Sequence, residues 1–592
     1  MSIVPLIKVT LYGPSAEKDA ALDGLQRLGC LHLNDLRSGA EATNVAAPDA
    51  DARSALQYLQ DSPVRRRTSR QNADIDLQAL VKEVLDIRDR SRSLSEEREQ
   101  LRKWIGDLEP WGDFELPAWA HEGPLRFWFY VVPHHQMACV QATELAWRVV
   151  GRDHRFAYVV IVSADQPAKM PVAPLSLEPR SLSKLRARLG QVECELEELD
   201  YRRIGLTLYS EILREALDEA DDHAARERAA LVTLEQDQVF AVQGWAPSAR
   251  VAALRQFASD RKLALTIETP TAQDKPPTLL DNPPALRGGE GLVMFFQTPG
   301  YSTWDPSKTV FVSFAVFFAM ILSDAGYGLV LALILLAMWK RLSGSGLRGL
   351  FVALVIASIG YGMLVGTYFG LTPPAGSWLA AVHVLDAENQ SSMMLIAIGI
   401  GVVHVGCANL VAAWQRRKSV TALSSLGWAC MVFGAFCAVL GKSYAHLAQL
   451  FSVGVGAFAL GGSAVLLFSS EHAFGLTPKL LFGRIVDGLK ELAEMSKAFG
   501  DVLSYLRLFA LGLASIKLAE VFNSLAASSF ALKGVWVLLG LLILFIGHII
   551  NFAMGIMSGV VHGLRLNVIE FFNWSLREDG ERFQAFAKKA HN

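Results

Sequence analysis

Residues 310–338, VFVSFAVFFAMILSDAGYGLVLALILLAM, form the most informative segment of this 592-residue sequence. The run is apolar for more than the roughly 20 residues that a membrane-spanning helix needs. Its middle holds an acid, Asp324, and two glycines, Gly326 and Gly328. A carboxylate in mid-membrane and glycines within a helix are both energetically costly. We therefore predict a hairpin of two shorter helices with a structural break at these three residues.

Six further apolar runs follow, each long enough to cross a bilayer core of about 30 Å. They are residues 348–371, 391–414, 421–441, 446–469, 499–528 and 533–562. Together with the hairpin they predict a polytopic α-helical membrane domain of about eight helices over residues 308–576. The last two runs exceed the bilayer thickness, so we expect both helices to be tilted.

Charged residues between the runs predict the side of the membrane on which each loop lies. Loops with clustered Lys and Arg are 340–348, 415–420 and 470–498. Loop 372–390 has Asp386 and Glu388 but neither Lys nor Arg. The positive-inside rule places the basic loops in the cytoplasm and the acidic loop outside. Because we expect the N-terminal half to be cytoplasmic too, the segment 310–338 should enter and leave the membrane on the same side. The alternative is a single crossing of the membrane, which would violate the charge rule at several loops.

Residues 1–273 are rich in Arg, Asp and Glu and predict a cytoplasmic α/β part. Its strand and helix patterns are residues 6–11, 19–28, 30–34, 239–245 and 263–267. We expect these five patterns to form one unit, because the chain returns to it after a long excursion. A Pro- and Gly-rich segment, 274–307, is expected to link this part to the membrane, and 577–592 to form a cytoplasmic tail.

Two heptad patterns occupy the excursion. The first consists of Leu77, Leu80, Val84, Ile87, Leu94, Leu101, Ile105 and Leu108. The second consists of Leu182, Leu185, Leu189, Val192, Leu196, Leu199, Leu206, Leu213 and Leu217. Sustained heptads favour a long antiparallel coiled coil, and strand patterns between them predict a tip domain over about 115–175. Two amphipathic helices packed in an ordinary globule are the alternative.

Composition argues against several other classes of function. A net charge of -2 carries no signal for nucleic acid, and the six cysteines lack the spacing of a metal site or disulfide framework. Residues 1–11 lack a signal-peptide pattern. The N-terminal half contains no phosphate-binding loop, nucleophile elbow or zinc spacing. We therefore expect no metal, no cofactor and no nucleic-acid partner.

Two arginines lie within the last two apolar runs. Arg507 is in SYLRLFALGLA, residues 504–514, and Arg565 is in HGLRLNVIE, residues 562–570. Arginine stays protonated, and an uncompensated arginine in hydrocarbon costs at least several kcal/mol. Each must therefore face water or a carboxylate. Counted from the turn near Gly534, the two differ in depth by only about 6 Å. Arg565 alone has a second interpretation, as a cation that snorkels to the cytoplasmic surface.

These motifs resemble the a-subunit, or subunit I, family of V-type rotary ATPases. The run 505–514 is similar to the family signature, and 562–566 followed by Glu570 resembles its second arginine site. Residues 323–328 resemble a Gly-Asp-x-Gly-x-Gly element, with serine in the first position. The opening KVTLYG, residues 8–13, and the predicted strut also fit prokaryotic members. Eukaryotic members carry an acid ten residues before the second arginine, where this chain has Gly555, so details of the outer half-channel stay open.

The resemblance implies a non-catalytic stator subunit beside a rotating ring of proteolipid subunits, each with one buried carboxylate. A fixed cation would hold that carboxylate ionised between two offset half-channels. The residues expected to serve proton translocation are Arg507, Arg565, His562 and Glu570. Candidate half-channel residues, each with an ordinary interpretation as a helix-end or surface group, are Glu494, Asp501, Glu520 and His548. Implied partners are the ring, peripheral stalk subunits, a central stalk cap subunit and the lipid bilayer.

Two other classes of function remain as alternatives. A secondary transporter with a cytoplasmic regulatory domain would be expected to show paired repeats with broken helices. Only the break at Asp324 is evident, and no second half matches it. A tethering or scaffold protein would have no need for Arg507 in the bilayer.

The hairpin predicts which membrane side a cysteine at Ser343 faces. In a background without the six native cysteines, a membrane-impermeant thiol reagent should label Ser343→Cys only from the cytoplasmic side. Ser377→Cys, in the acidic loop, is the matched control and should be labelled from outside. Labelling of Ser343→Cys from outside would contradict the hairpin.

Overall fold

The computed structural model describes residues 2–37, 50–66, 76–115, 124–167, 170–175, 177, 180–271, 273–342, 346–374, 376–470, 478–576 and 579–589. Ser343, the labelling position, lies outside these residues. The chain divides into two compact units. The first unit is Met1–Leu36 with Thr233–Phe586, and the second is Arg37–Val232 with Ala587–Asn592.

The described strands and helices have the following bounds. The strands are β1 (Leu6–Pro14), β2 (His32–Leu33), β3 (Arg126–Pro133), β4 (Ala146–Arg152), β5 (Phe156–Ser163), β6 (Leu234–Gln236), β7 (Val239–Pro247) and β8 (Ala264–Glu268). The helices up to residue 300 are α1 (Lys18–Leu28), α2 (Ala50–Gln60), α3 (Leu77–Leu108), α4 (Met137–Gln141), α5 (Leu182–Leu206), α6 (Ser210–Val232), α7 (Val251–Asp260) and α8 (Arg287–Phe296). The later helices are α9 (Ser307–Leu322), α10 (Ala325–Met338), α11 (Leu347–Val365), α12 (Trp378–Val382), α13 (Gln390–Gln415), α14 (Ala422–Ser443), α15 (Gln449–Phe468), α16 (Pro478–Ala493), α17 (Met495–Leu503), α18 (Leu506–Ala531), α19 (Trp536–Arg565) and α20 (Phe572–Ser575).

A five-stranded antiparallel sheet opens the first unit. Its order is β2-β7-β1-β8, with β6 on β7, so the chain returns to the sheet as the sequence predicts. Helices α1 and α7 pack closely, since a Cβ at Gly24 would come within 2.3 Å of the Phe257 ring. The tail also returns here: Gln584 N donates to His32 Nδ1 at 3.0 Å, and Phe586 N donates to Leu31 O at 2.8 Å.

The second unit is built on the long helices α3 and α5, which run antiparallel. Leu94 and Leu101 of α3 are buried with Val192 and Leu199 of α5, so the heptad residues face inward as predicted. The second heptad run is divided, because a short 3₁₀ turn at Thr207–Tyr209 separates α5 from α6. Coiled-coil packing itself stays a prediction. The sheet β3-β5-β4 lies between the two helices in the chain.

Six helical segments in the described part of the chain are long and apolar enough to cross a membrane, and the last two each include more than one of the helices above. They are Leu347–Val365, Gln390–Gln415, Ala422–Ser443, Gln449–Phe468, Phe482–Ala531 and Trp536–Ser575. All six fall on predicted runs. The apolar helices α9 and α10 are shorter, and the expected total of about eight stays a prediction.

The run 310–338 is interrupted where its acid lies. Helix α9 ends at Leu322, Ser323 adopts a left-handed φ of 50°, and Asp324 is extended and caps α10. Both helices pack on α11 in opposite directions. Near the end of α11, a Cβ at Gly362 would lie 2.2 Å from the Ala325 N atom. Near its start, Arg348 Nη2 donates to Trp339 O, which directly follows α10.

The Asp324 carboxylate is bound by three backbone N–H groups. Its Oδ1 accepts from Tyr327 N at 3.0 Å and from Phe369 N at 2.9 Å, while Oδ2 accepts from Gly370 N at 2.9 Å. Phe369 and Gly370 have left-handed φ values of 53° and 70°, which turn both N–H groups toward the acid. The side chain is 1% exposed, so the turn after α11 clamps the break between α9 and α10.

The segment expected to be a linker is partly folded. Helix α8 lies within 274–307, and bridges join Thr278 to Arg582 and Pro299 to Asp579. A Cβ at Gly289 would come within 2.3 Å of Ser307 O. The glycine there serves close packing of α8 against α9 and does not make the chain flexible.

Replacing Asp324 with asparagine should destabilise the membrane helices. The new side-chain amide would turn an NH₂ group toward one of the N–H donors, and we expect a loss of about 3 kcal/mol in unfolding free energy. Thermal unfolding in detergent measures the effect, with Asp386→Asn in an exposed loop as the matched control. An unchanged unfolding temperature for Asp324→Asn would show that the three contacts are not stabilising.

Candidate functional site: the paired arginine helices

The two arginine-bearing helices, α18 and α19, are antiparallel neighbours. Asn551 Nδ2 on α19 donates to Ser515 O on α18 at 2.9 Å. In this register, His562 lies within about one turn of Arg507 along the helix axis. Arg565 lies about one turn beyond His562, farther from the α18–α19 connection. The two arginines therefore differ in depth by about 9 Å, somewhat more than the 6 Å inferred from the sequence.

Two arginines, a carboxylate and a histidine come together at this level. Arg507 is half-buried, and its Nη1 atom has no hydrogen-bond partner in the described part of the chain. Arg565 is 49% exposed and places its Nε atom 3.9 Å from Glu570 Oε1. Glu570 is 2% exposed, and its Oε2 lacks a partner there. Arg507 and Arg565 both act electrostatically on Glu570 and on His562.

A π-helix explains how Glu570 reaches Arg565. Residues Leu566–Phe571 form this π-helix directly after α19. Because a π turn holds more residues than an α turn, residues five apart lie closer to the same face than they would in an α-helix. Single π turns often occur at functional sites. Sequence periodicity carries no sign of this turn.

A chain of polar groups lies on the other side of Arg507, toward the α18–α19 connection. His548 Nε2 contacts Asn523 Oδ1 at 3.0 Å, and its Nδ1 contacts the Tyr327 hydroxyl at 2.7 Å. Asn551 Nδ2 donates to the same hydroxyl at 3.0 Å. Asn523 Nδ2 donates to Phe369 O at 2.8 Å. The chain therefore links α10, α18, α19 and the turn that holds Asp324.

The remaining predicted site residues fall into different environments. Asp501 Oδ2 accepts from Trp574 Nε1 at 2.8 Å and acts electrostatically on Glu570. Glu520 binds Lys517 at 2.9 Å and is not a member of the polar chain. Glu494 is exposed at the start of α17. The structure thus brings Asp501 to the arginine site but leaves Glu494 in its ordinary helix-end role.

Several known proteins similar to this chain are named as subunit I of a V-type or A-type ATP synthase. V-type ATP synthase subunit I of Chlamydia trachomatis is 28% identical over 583 residues, covering 86% of this chain and 87% of the relative. V-type ATP synthase subunit I 1 of Treponema pallidum is 26% identical, covering 99% and 100%. A-type ATP synthase subunit I of Archaeoglobus fulgidus is 24% identical, covering 98% of each. The chain is thus similar over most of its length to subunit I of V-type and A-type ATP synthases.

No protein-family model matches the chain. A crystal structure of the cytoplasmic N-terminal domain of subunit I, homolog of subunit a, of V-ATPase aligns with 44% of this chain and 99% of that domain. Its identity is 17% and its TM-score is 0.25.

The sequence prediction missed one pair of residues at this site. His404 of α13 is 7% exposed and contacts the Tyr505 hydroxyl through Nδ1 at 2.6 Å. Its ring stacks on Phe571, at the end of the π-helix, with centroids 4.4 Å apart. The sequence feature that could have indicated this pair is His404, the single histidine in the apolar run 391–414. The pair ties α13 to both arginine-bearing segments.

The polar chain should be sensitive to loss of one hydroxyl. Tyr327→Phe removes a partner of both His548 and Asn551, and we expect the unfolding free energy to fall by about 1–2 kcal/mol. Thermal unfolding in detergent provides the measurement. Tyr201→Phe, at a 75% exposed position, should leave stability unchanged. An equal unfolding temperature for the two variants would show that the Tyr327 hydroxyl does not contribute to stability.

Proposed function

We propose that this chain is the non-catalytic membrane stator subunit of a V-type or A-type rotary ATP synthase. It lines the proton half-channels against a ring of proteolipid subunits and connects them to the peripheral stalk. The observation that carries the proposal is Arg507, a permanent charge in an apolar span that lacks a partner at Nη1 within the described residues and lies beside Arg565, His562 and Glu570.

Arg507 supplies the fixed cation that a ring carboxylate needs when it gives up its proton. A carboxylate about 4 Å from the guanidinium gains roughly 4 kcal/mol at an effective dielectric constant near 20. That attraction favours the ionised acid while it passes the stator. Because Nη1 of Arg507 has no hydrogen-bond partner within the described residues, the guanidinium can make such a contact. Large apolar side chains along α19, such as Leu538, Phe545 and Met557, are exposed and suit a surface that faces the ring.

The two half-channels are assigned to the polar groups on either side of Arg507. The inner one uses Arg565, Glu570 and Asp501, because Arg565 reaches solvent while Glu570 is buried beside it. The outer one uses the Asn523–His548–Tyr327–Asn551 chain. Ser515, where this chain ends, is about 12 Å from Arg507 along α18. The cation therefore separates the two routes and opposes a direct proton leak.

The long helices α3 and α5 form the proposed mechanical link. At 1.5 Å per residue, the 32 residues of α3 extend about 48 Å. Paired salt bridges such as Arg188 with Glu97, at 2.8 and 3.0 Å, tie the two helices side by side. We assign the coiled-coil role to this pair, the peripheral stalk contact to the tip at 115–175, and a cytoplasmic location to residues 1–273.

Proton pumping should respond unequally to changes at the two arginines. In reconstituted vesicles, Arg507→Ala should abolish pumping while the complex still assembles, because the ring carboxylate loses its cation. Arg507→Lys should fail partly or wholly, since lysine is shorter and lacks the planar fork. Arg565→Ala should be milder, because that residue is half exposed. Lys533→Ala, in the α18–α19 connection, is the control for removing a cation.

Assembly is measured on the same samples by co-purification of the other subunits. Full pumping by an assembled Arg507→Ala complex would rule out the proposed mechanism. A larger defect in Arg565→Ala than in Arg507→Ala would reverse the assigned roles. Purification without any ATP synthase subunits would favour the transporter alternative.

A further inference from the structure

A groove of about 650 Å³ lies between α9 and α13. Its aliphatic and aromatic wall consists of Val312, Val316, Phe317, Ile396, Ile400 and Val403. Val312 and Val403 are more than half exposed. In a membrane, such a wall matches an acyl chain, because it offers dispersion contacts and no hydrogen-bonding groups.

One end of the groove carries the features of an anion site. Lys308 and Thr309 line it in the first turn of α9, where backbone N–H groups lack intrahelical partners and the helix dipole favours negative charge. The nearby acid, Asp305, is engaged by Ser307 N at 2.9 Å and by Asn282 Nδ2 at 2.8 Å. Within the described residues, the Lys308 ammonium group has no ion pair.

A second, independent feature lies on the inner wall. His404 lines the groove, is more than nine-tenths buried, and has no partner for Nε2 in the described part of the chain. Its Nδ1 is already in contact with the Tyr505 hydroxyl, so Nε2 is the ring nitrogen left for a ligand. The wall of the groove therefore includes a histidine with an unpartnered ring nitrogen, beyond the cationic end.

We propose that this groove binds one anionic phospholipid. The phosphate contacts Lys308, Thr309 and the first turn of α9, an ester carbonyl accepts from His404 Nε2, and an acyl chain lies along the aliphatic wall. A free phosphate ion would leave that wall uncovered. A cationic end beside an aliphatic wall matches a ligand that carries an anionic head on an apolar chain.

A lipid in this position has a consequence for the arginine site. Tyr505 lies between His404 and the helix that begins with Leu506 and Arg507. An acyl chain in the groove keeps water away from the rear of that helix. The inference requires only that the helices lie in a membrane, so it does not rest on the proposed stator function.

The test measures phospholipid retained by the full chain in its complex after purification in mild detergent. Mass spectrometry of the extracted lipids should find about one anionic phospholipid per wild-type chain. Lys308→Gln should lower retention about fivefold, as expected for roughly 1 kcal/mol per basic residue near a lipid surface. Val316→Trp should displace the lipid by filling the groove while the cation stays in place.

Matched controls are Lys490→Gln on α16 and Val455→Trp on α15, both at exposed positions; both should retain the lipid. A thermal-shift measurement then identifies the ligand: dioleoylphosphatidylglycerol should stabilise delipidated wild-type complex more than dioleoylphosphatidylcholine or inorganic phosphate. Undiminished retention in both Lys308→Gln and Val316→Trp would overturn the proposal. Equal stabilisation by inorganic phosphate would replace it with a simple anion site, and a cross-link from Val316→Cys to another subunit would replace it with a protein contact.

Discussion

Three backbone N–H groups converge on the Asp324 carboxylate, and this contact holds the interior of the membrane helices in register. A buried carboxylate is costly unless donors surround it, and Tyr327, Phe369 and Gly370 supply them. Two of the donors belong to the turn after α11. Any shift of the break between α9 and α10 would therefore remove hydrogen bonds from the Asp324 carboxylate. That turn also rests on α18, where a Cβ at Gly370 would approach the Ala519 side chain to 2.5 Å.

The same clamp fixes the polar groups near the arginines. Tyr327 lies in the first turn of α10, and its hydroxyl reaches His548 on α19. The Phe369 carbonyl accepts from Asn523 on α18. Both arginine-bearing helices are therefore positioned from one point by hydrogen bonds between rigid segments. The separation of the polar chain from Arg507 is set by helix geometry and does not rely on a loop.

Repeating patterns were predictable from the sequence, whereas single local contacts were not. Long apolar runs mark segments suited to hydrocarbon, and heptads mark one buried helix face, which is why the long helices were foreseen. The returning strands were foreseen from their short strand patterns. The Pro- and Gly-rich segment did not reveal helix α8, where Gly289 permits close packing. The π-helix at Leu566–Phe571 changes one turn only, so hydrophobic periodicity carries no mark of it. The contact between His404 and Tyr505 joins residues 101 positions apart, and no local rule selects that partner.

The first sheet is assembled from distant pieces of the chain, which imposes an order on biosynthesis. Strand β1 pairs with β7, and Val239 follows Pro14 by 225 residues. At about 5–20 residues per second, β1 leaves the ribosome roughly 10–45 s before its partner. During that interval its edges are unpaired and prone to pair with other chains. The contact of Phe586 with Leu31 forms later still, after all the membrane helices have been made. A nascent-chain chaperone that shields β1 would therefore act early, long before the last helix is inserted.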